Sequence, residues 1–385
     1  MLNKKICKAV LLIIPFIGFS QESIDSVQIK KILNEVNVNA LRANEKNPFA
    51  FTNVNQKEIE KANLAQDLPY IILLTPSVVT TSDAGAGIGY TSFRIRGSDP
   101  TRINVTINGI PLNDSESQGV WWVNMPDLSS SVENIQIQRG VGTSTNGAAA
   151  FGASINLKTD AIRKDAHLLT NNTLGSFATL KNNIEFGTGL INNKFSFEGC
   201  LSKILSDGYI DRATSNLKSL YLQGAYFGKS SIIKALMFAG HERTYQAWYG
   251  VPLNYLETNR TYNPYTYDNE VDNYRQIHYQ LHYSKQMSKT INYNISAHYT
   301  HGEGYYEQEK LGEDLIDYNL ENIILNNDTI SSSDLIRRKW LNNDFGGLTL
   351  SLTHKIGSLD LILGGATNRY SGQHYGNIIW AQYAS

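Results

Sequence analysis

The chain is 385 residues long and nearly balanced in charge, with 34 Lys and Arg against 35 Asp and Glu and a formal net charge of -1. A nucleic-acid-binding surface normally leaves a basic excess, so this balance excludes that class of partner. Only 18% of the residues are charged although the chain carries 22 Tyr and 30 Gly. Soluble domains average roughly 25% charged residues, so the deficit favours a protein that keeps charge off a large surface.

Lys4, Lys5 and Lys8 precede an apolar run over residues 9–19, and Gly18 and Ser20 are the small residues a signal peptidase reads. The run is short of the roughly twenty residues a spanning helix needs. Residues 1–20 are therefore predicted to be a signal peptide, and the chain to be exported. Cys7 lies ahead of the apolar run, which argues against a lipid anchor. Cleavage near Gln21 leaves Cys200 as the remaining cysteine and excludes an intramolecular disulfide or a cysteine metal cluster. Residues 21–32 form a short polar leader, too short for an additional N-terminal domain. Residues 33–43, LNEVNVNALRA, alternate weakly, with Val36 and Val38 opposite Asn37 and Asn39. On residues alone this is equally a strand offered to a partner's sheet edge and an ordinary first strand of the next domain.

Residues 44–165 are expected to be a small α/β domain. Strands are predicted at 51–54 and 78–81, with two helices between them. Asn55 with Glu58 is a capping-box arrangement for the first helix, over 55–62. Asp67 is expected to cap the second, Leu68, Ile71, Ile72 and Leu74 to give its apolar face, and Pro76 to stop it. Three further strand patterns cover 93–96, 104–107 and 132–138. Asn108-Gly109 supplies the positive φ angles of a two-residue hairpin turn, so Val105 and Ile107 should fold back against Ile110 and Leu112. The glycine-rich stretch SDAGAGIGYTS at 82–92 matches neither dinucleotide nor P-loop spacing and reads as a loop. DSESQGVWWVN at 114–124 is acidic, then aromatic. Trp121 and Trp122 can stack on a planar ligand or pack against neighbouring structure, and packing is the expectation for at least one of them.

Several of these residues together resemble the plug domain of TonB-dependent outer-membrane receptors. They are Arg94 and Arg96-Gly97, Asn108-Gly109, Glu133, Arg139-Gly140, Gly147, and Gly152 running into Ser154-Ile155-Asn156. Residues 33–43 resemble the TonB-box region that precedes such plugs, which implies that Leu33, Glu35, Val36 and Val38 couple to TonB and its inner-membrane energising complex. The resemblance also implies that the glycine-rich and Trp-rich loops form the plug apex, where ligand first rests.

From residue 166 the pattern changes to strict period two. TINYNISAHYT at 290–300 puts Ile291, Tyr293, Ile295, Ala297 and Tyr299 on one face and polar residues on the other, and 275–284, 194–202 and 348–353 repeat the split. Strands of roughly ten residues with one apolar and one polar face are expected of an antiparallel transmembrane β-barrel surrounded by outer-membrane lipid. Short turns are read at 191–193, 228–230, 286–289 and 355–358, and longer links at 206–216, 244–273 and 304–337. This rhythm puts the short turns in the periplasm and the long loops outside the cell. The count is about nine strands, an odd number that closes no bacterial barrel. The barrel is therefore expected to be incomplete here, against the roughly 22 strands of plugged transporters.

No catalytic motif is present, and the chain is read as not an enzyme. No cofactor and no metal site are assigned: His278 and His282 share a polar face, but along a strand they stand about 13 Å apart. The stretches at 240–252 and 301–310 resemble extracellular loop entries of Bacteroidetes-type receptors, which implies that Tyr245, Trp248, Tyr305 and Tyr306 join Trp121 and Trp122 at the ligand. The same four also fit an aromatic girdle at the membrane interface. The expected function is TonB-dependent import across the outer membrane, of a ferric chelate. Glycan or cobalamin import, and a structural or adhesive barrel that transports nothing, are the alternatives.

Overall fold

The structure, a computed structural model, describes residues 42–43, 50–141, 150–159 and 163–383. In the first part, strands β1 (Ala50–Asn55), β2 (Val78–Ser82), β3 (Thr91–Ile95), β4 (Ile103–Ile107), β5 (Ile110–Pro111), β6 (Asn134–Arg139) and β7 (Ala153–Lys158) accompany helices α1 (Gln56–Ala62) and α2 (Leu68–Ile71). Five strands make a mixed sheet of order β1-β6-β7-β4-β5, with β4 and β7 parallel, and β2 and β3 form a separate hairpin.

Local chemistry explains most of these elements. Asn55 caps α1 through Glu58 N, and Glu58 reaches back to Asn55 N at 2.8 Å, so two orphan amides at the helix start are satisfied. Asn108 and Gly109 take φ of 52° and 83°, and the turn sets Ile107 opposite Ile110 while Leu112 N donates to Val105 O at 2.9 Å. The second helix departs from expectation. It ends after one turn at Ile71, well before Pro76, and Leu74 is 96% exposed rather than on an apolar face. Asp67 makes no side-chain cap, because its carboxyl accepts instead from Thr91 Oγ1 at 2.9 Å. A neighbouring hairpin outcompetes the local capping signal.

The second part is one nine-stranded antiparallel meander: β8 (His167–Gly175), β9 (Thr179–Gly187), β10 (Phe195–Ser206), β11 (Ser215–Phe227), β12 (Ser231–Tyr245), β13 (Val271–Gln286), β14 (Ile291–Asp314), β17 (Ser332–Ile356) and β18 (Leu359–Ala381). A small hairpin, β15 (Ile323–Leu325) and β16 (Asp328–Ile330), sits in the link before β17. Burial is inverted relative to a soluble sheet. Apolar Phe197, Leu281 and Leu350 point outward and are exposed, while His278, Gln280 and His282 on the alternate face are buried. That is the arrangement of a wall with lipid on one side and a plug on the other. Among the described residues no helix is long and apolar enough to cross a membrane, which says nothing of strands.

The first part packs against the polar face of this sheet. Cys200, Tyr221, Leu236 and Phe238 of the wall share one buried apolar cluster with Ile59, Leu68, Leu128 and Ile135. Gly240 permits the closest approach, since a Cβ there would collide with the backbone oxygen of Asn124.

Connections at one end of the sheet are short, at 228–230, 287–290 and 357–358, and at the other end they reach 246–270. The expected long link at 304–337 is corrected: β14 and β17 stay paired as far as Asp314 and Ser332, leaving 315–331. Past Tyr306 successive residues of the paired arm are polar or charged on both faces, Glu307, Gln308, Glu309 and Lys310 among them, so period two fades from the sequence although the backbone pairing continues. An epitope tag inserted within 246–270 should be stained on intact cells, and one at 228–230 should be stained only after the outer membrane is permeabilised. The reverse pattern inverts the topology.

Candidate functional site

A cavity of about 510 Å³ lies between the first domain and the inner face of the sheet. Its chain of aromatic rings begins at Trp121, whose indole Nε1 donates to Ser117 Oγ at 3.2 Å. Trp121 meets Tyr90 edge-on with centroids 6.0 Å apart, Tyr90 meets Trp248 at 5.6 Å, and Trp248 meets Tyr306 at 5.5 Å. These rings come from the glycine-rich loop, the Trp-rich loop, the link after β12 and strand β14. The acidic loop below them is held open by its own hydrogen bonds: Asp114 Oδ1 accepts from Glu116 N at 3.0 Å and Ser117 N at 2.7 Å. Asn113 braces it by donating to Ile103 O and Gln118 O at 2.9 and 2.8 Å.

At the wall, Glu242 on β12 and Asp272 on β13 are both buried, and the Tyr90 hydroxyl, with one proton to donate, lies within hydrogen-bond reach of both. Burial first, then the charges of Glu242 and Asp272, holds the Tyr90 phenol well above its ordinary pKa. Thr244 Oγ1 adds a bond to Glu242 Oε2 at 2.8 Å. Burial also pushes Asp83, another lining residue, up to about 6. Away from the cavity, burial pushes Asp67 up to about 8, with its Oδ1 left without a partner.

Of the six aromatic residues singled out from sequence, Trp121, Trp248 and Tyr306 meet around the cavity. Trp122 does not: it is 3% exposed and packs on Phe93 at 5.8 Å in the core, so of the two adjacent tryptophans one packs and one lines. Tyr245 is buried, with its hydroxyl donating to Tyr267 O at 2.7 Å, away from the cavity. Tyr305 lies on the outer face, 4.7 Å from Trp340, which stacks in turn on Tyr375, and Arg338 covers its ring at 4.3 Å. Reading the sequence missed Tyr90, Glu242 and Asp272. Glu242 had a visible signal, a carboxylate on the inward face of a strand.

The plug-motif residues hold strand ends together. Asn108 Nδ2 donates to Thr159 Oγ1 at 2.9 Å, Glu133 pairs with Lys158 at 3.2 Å, and Arg139 Nη1 donates to Thr52 Oγ1 at 2.6 Å. Gly140 N donates to Gly152 O at 2.8 Å, and Gly152 leaves no room for a Cβ beside Ser98. Arg94, Arg96 and Gly97 are exposed, with Arg96 and Gly97 at positive φ beyond β3. Gly147 and the residues expected to couple to TonB, Leu33, Glu35, Val36 and Val38, lie outside the described residues. The described end of the 33–43 segment is held by β6, where Ala43 N donates to Gln136 Oε1 at 2.7 Å.

Plug and wall are joined by a second polar cluster. Lys181 on β9 donates to Asp127 Oδ1 at 2.5 Å and to Asn63 Oδ1 at 2.9 Å, while Asn183 Nδ2 donates to Asp127 Oδ2 at 2.8 Å. Both charged side chains are buried.

Comparison with known proteins bears on this architecture directly. Residues 43–154 match the family model of the TonB-dependent receptor plug domain. No curated protein matches the chain in sequence. Solved structures similar in fold include BauA, the ferric preacinetobactin receptor from Acinetobacter baumannii, with 13% identity, a TM-score of 0.63, and 86% of this chain and 48% of that chain covered. The ferric-catecholate import receptor Fiu from E. coli K12, in its open form, has 15% identity, a TM-score of 0.64, and 86% and 50% coverage. The ferric citrate transporter FecA, unliganded, has 18% identity, a TM-score of 0.60, and 86% and 49% coverage. The chain spans about half the length of these structures. Residues 43–154 are thus a TonB-dependent receptor plug domain, seated against a sheet similar in fold to the barrel walls of those solved receptors.

Proposed function

We propose that the chain forms the plug and part of the wall of an active importer in the outer membrane, energised by TonB, with the aromatic and acidic cavity as its ligand site. The observation that carries the reading is the position of that cavity. It lies between the plug and the wall, and its rings come from both, so a ligand there touches the part that must move and the part that must stay. Its volume suits a small molecule. A signal peptide over 1–20 and coupling through 33–38 complete the reading. The plug resemblance suggests a ferric chelate as the cargo, and the similar receptors named for ferric preacinetobactin, ferric catecholate and ferric citrate agree with that class.

The test is uptake of a panel of iron-labelled chelates by cells expressing the full-length receptor that contains this plug and wall. Saturable uptake is expected that stops when TonB is deleted. Changing Trp121, Trp248 and Tyr306 together to Ala should lower surface binding by roughly tenfold or more, since each aromatic contact contributes about 0.5–1.5 kcal/mol beyond its buried area. The amount of protein in the outer membrane should not change. Uptake indifferent to TonB removes the importer reading, and unchanged binding removes these three side chains from the site.

A further inference from the structure

The charge of the cavity says which end of a ligand it recognises. Asp83, Asp114, Glu116, Glu242 and Asp272 all line it, and among the described residues no Lys or Arg does. A site built for an anionic chelate would present guanidinium or ammonium groups to the ligand. Here the sign is opposite.

Glu242 and Asp272 sharpen the point. Both are buried, both compete for the single proton of the Tyr90 hydroxyl, and among the described residues neither is in an ion pair with a Lys, Arg or His. Burying carboxyl groups without a positive partner is costly, a cost that a bound proton relieves in the empty cavity and that a bound cation can relieve in its place. Beside it stands the row Trp121, Tyr90, Trp248 and Tyr306, and ring faces attract cations, most strongly where water is excluded. An independent observation agrees. Asn124 also lines the cavity, is 8% exposed, and has its Oδ1 without a hydrogen-bond partner, an acceptor awaiting an N–H donor. The Trp248 Nε1 is likewise without a partner, and it is a neutral donor. A bare metal ion fits less well, because among the described residues no three His, Cys, Asp or Glu side chains are placed to hold one.

We propose that this cavity binds a small organic cation, an ammonium or amidinium group on a flat apolar body, with the charge at Glu242 and Asp272 and the body against Trp121 and Trp248. The inference rests on the reading of this cavity as the import site, and it narrows the cargo to a cationic molecule or a chelate that bears a cationic group.

The test uses the purified full chain in a neutral detergent and three probes sharing one ring: benzylammonium, benzyl alcohol and phenylacetate. Ligand-observed NMR titration should rank the cation tightest, by roughly tenfold over the alcohol, and phenylacetate weakest. Glu242→Gln with Asp272→Asn should remove that preference while leaving benzyl alcohol unchanged. Glu116→Gln, at a half-exposed position, should lower the cation's affinity severalfold and serves if the double variant fails to accumulate. Absence of cation binding, equal binding of the three probes, or a preference for phenylacetate overturns the proposal. Binding in detergent needs no TonB, so the two readings fail separately. TonB-dependent uptake restricted to anionic chelates would sink this inference and keep the importer, whereas cation binding with TonB-independent uptake would do the reverse.

Discussion

Lys181→Met is expected to loosen the plug from its wall by about 3–5 kcal/mol, the usual consequence of removing one partner from a buried ion pair. The Lys181 ammonium sits between Asp127 and Asn63 with almost no solvent contact. Methionine has nearly the same length but no charge, so Asp127 keeps its bonds from Asn183 and Ser130 and loses its counter-ion. Cys200 provides the readout: it is buried in the cluster the plug shares with the wall, and Asn183 Nδ2 donates to its sulfur at 3.0 Å. In a Cys7→Ser background, maleimide labelling of Cys200 reports each departure of the plug. At 1.4 kcal/mol per factor of ten, labelling should speed up by on the order of a hundredfold or more. Removing both charges, with Lys181→Met and Asp127→Leu together, should restore much of the protection, because the cost lies in the charge left behind. Labelling as slow in Lys181→Met as in the parent would mean that apolar contacts alone hold the plug.

Why Lys181 escaped the sequence reading while other features did not is a question of range. The Asn108-Gly109 turn and the Asn55 capping box are satisfied by residues within four positions, so their chemistry is visible locally. Period two was legible wherever one face of a strand meets lipid and the other meets the plug. It failed in the arm of β14 and β17 beyond Tyr306, where polar and charged residues occupy both faces. Lys181 reads in sequence as an ordinary solvent lysine, since its partner Asp127 lies on another domain. Tyr90, Glu242 and Asp272 meet across 152 and 182 positions, and nothing near any of them announces the other two. The second helix misled for a related reason: Asp67 is a good local cap that a distant Thr91 claims. The aromatic residues were ambiguous because strand parity, which separates inward Tyr306 from outward Tyr305, depends on a register set by the neighbouring strands.

Val36→Pro is expected to abolish energy-dependent uptake while leaving surface binding of ligand near its original level. The proposed coupling segment includes Leu33, Glu35, Val36 and Val38, and a strand added to the sheet edge of TonB is held mainly by main-chain hydrogen bonds. Proline removes one donor and fixes φ, so it damages such pairing whatever its side chain touches. The structure offers a route by which a pull could reach the plug. Ala43 is clasped by Gln136 through bonds of 2.7 and 3.0 Å, and Gln136 lies on β6, between β1 and β7 in the plug sheet. Force on the segment would load a strand inside that sheet first. Among the described residues the lining of the cavity runs from Asp83 onward, far from residue 36 in sequence, so binding and transport should separate in this variant. Val36→Ala keeps the backbone donor and should transport normally, which distinguishes lost pairing from a lost side chain. If Val36→Pro imports at the parental rate, these residues are an ordinary plug strand and the coupling segment must be sought in the leader at 21–32.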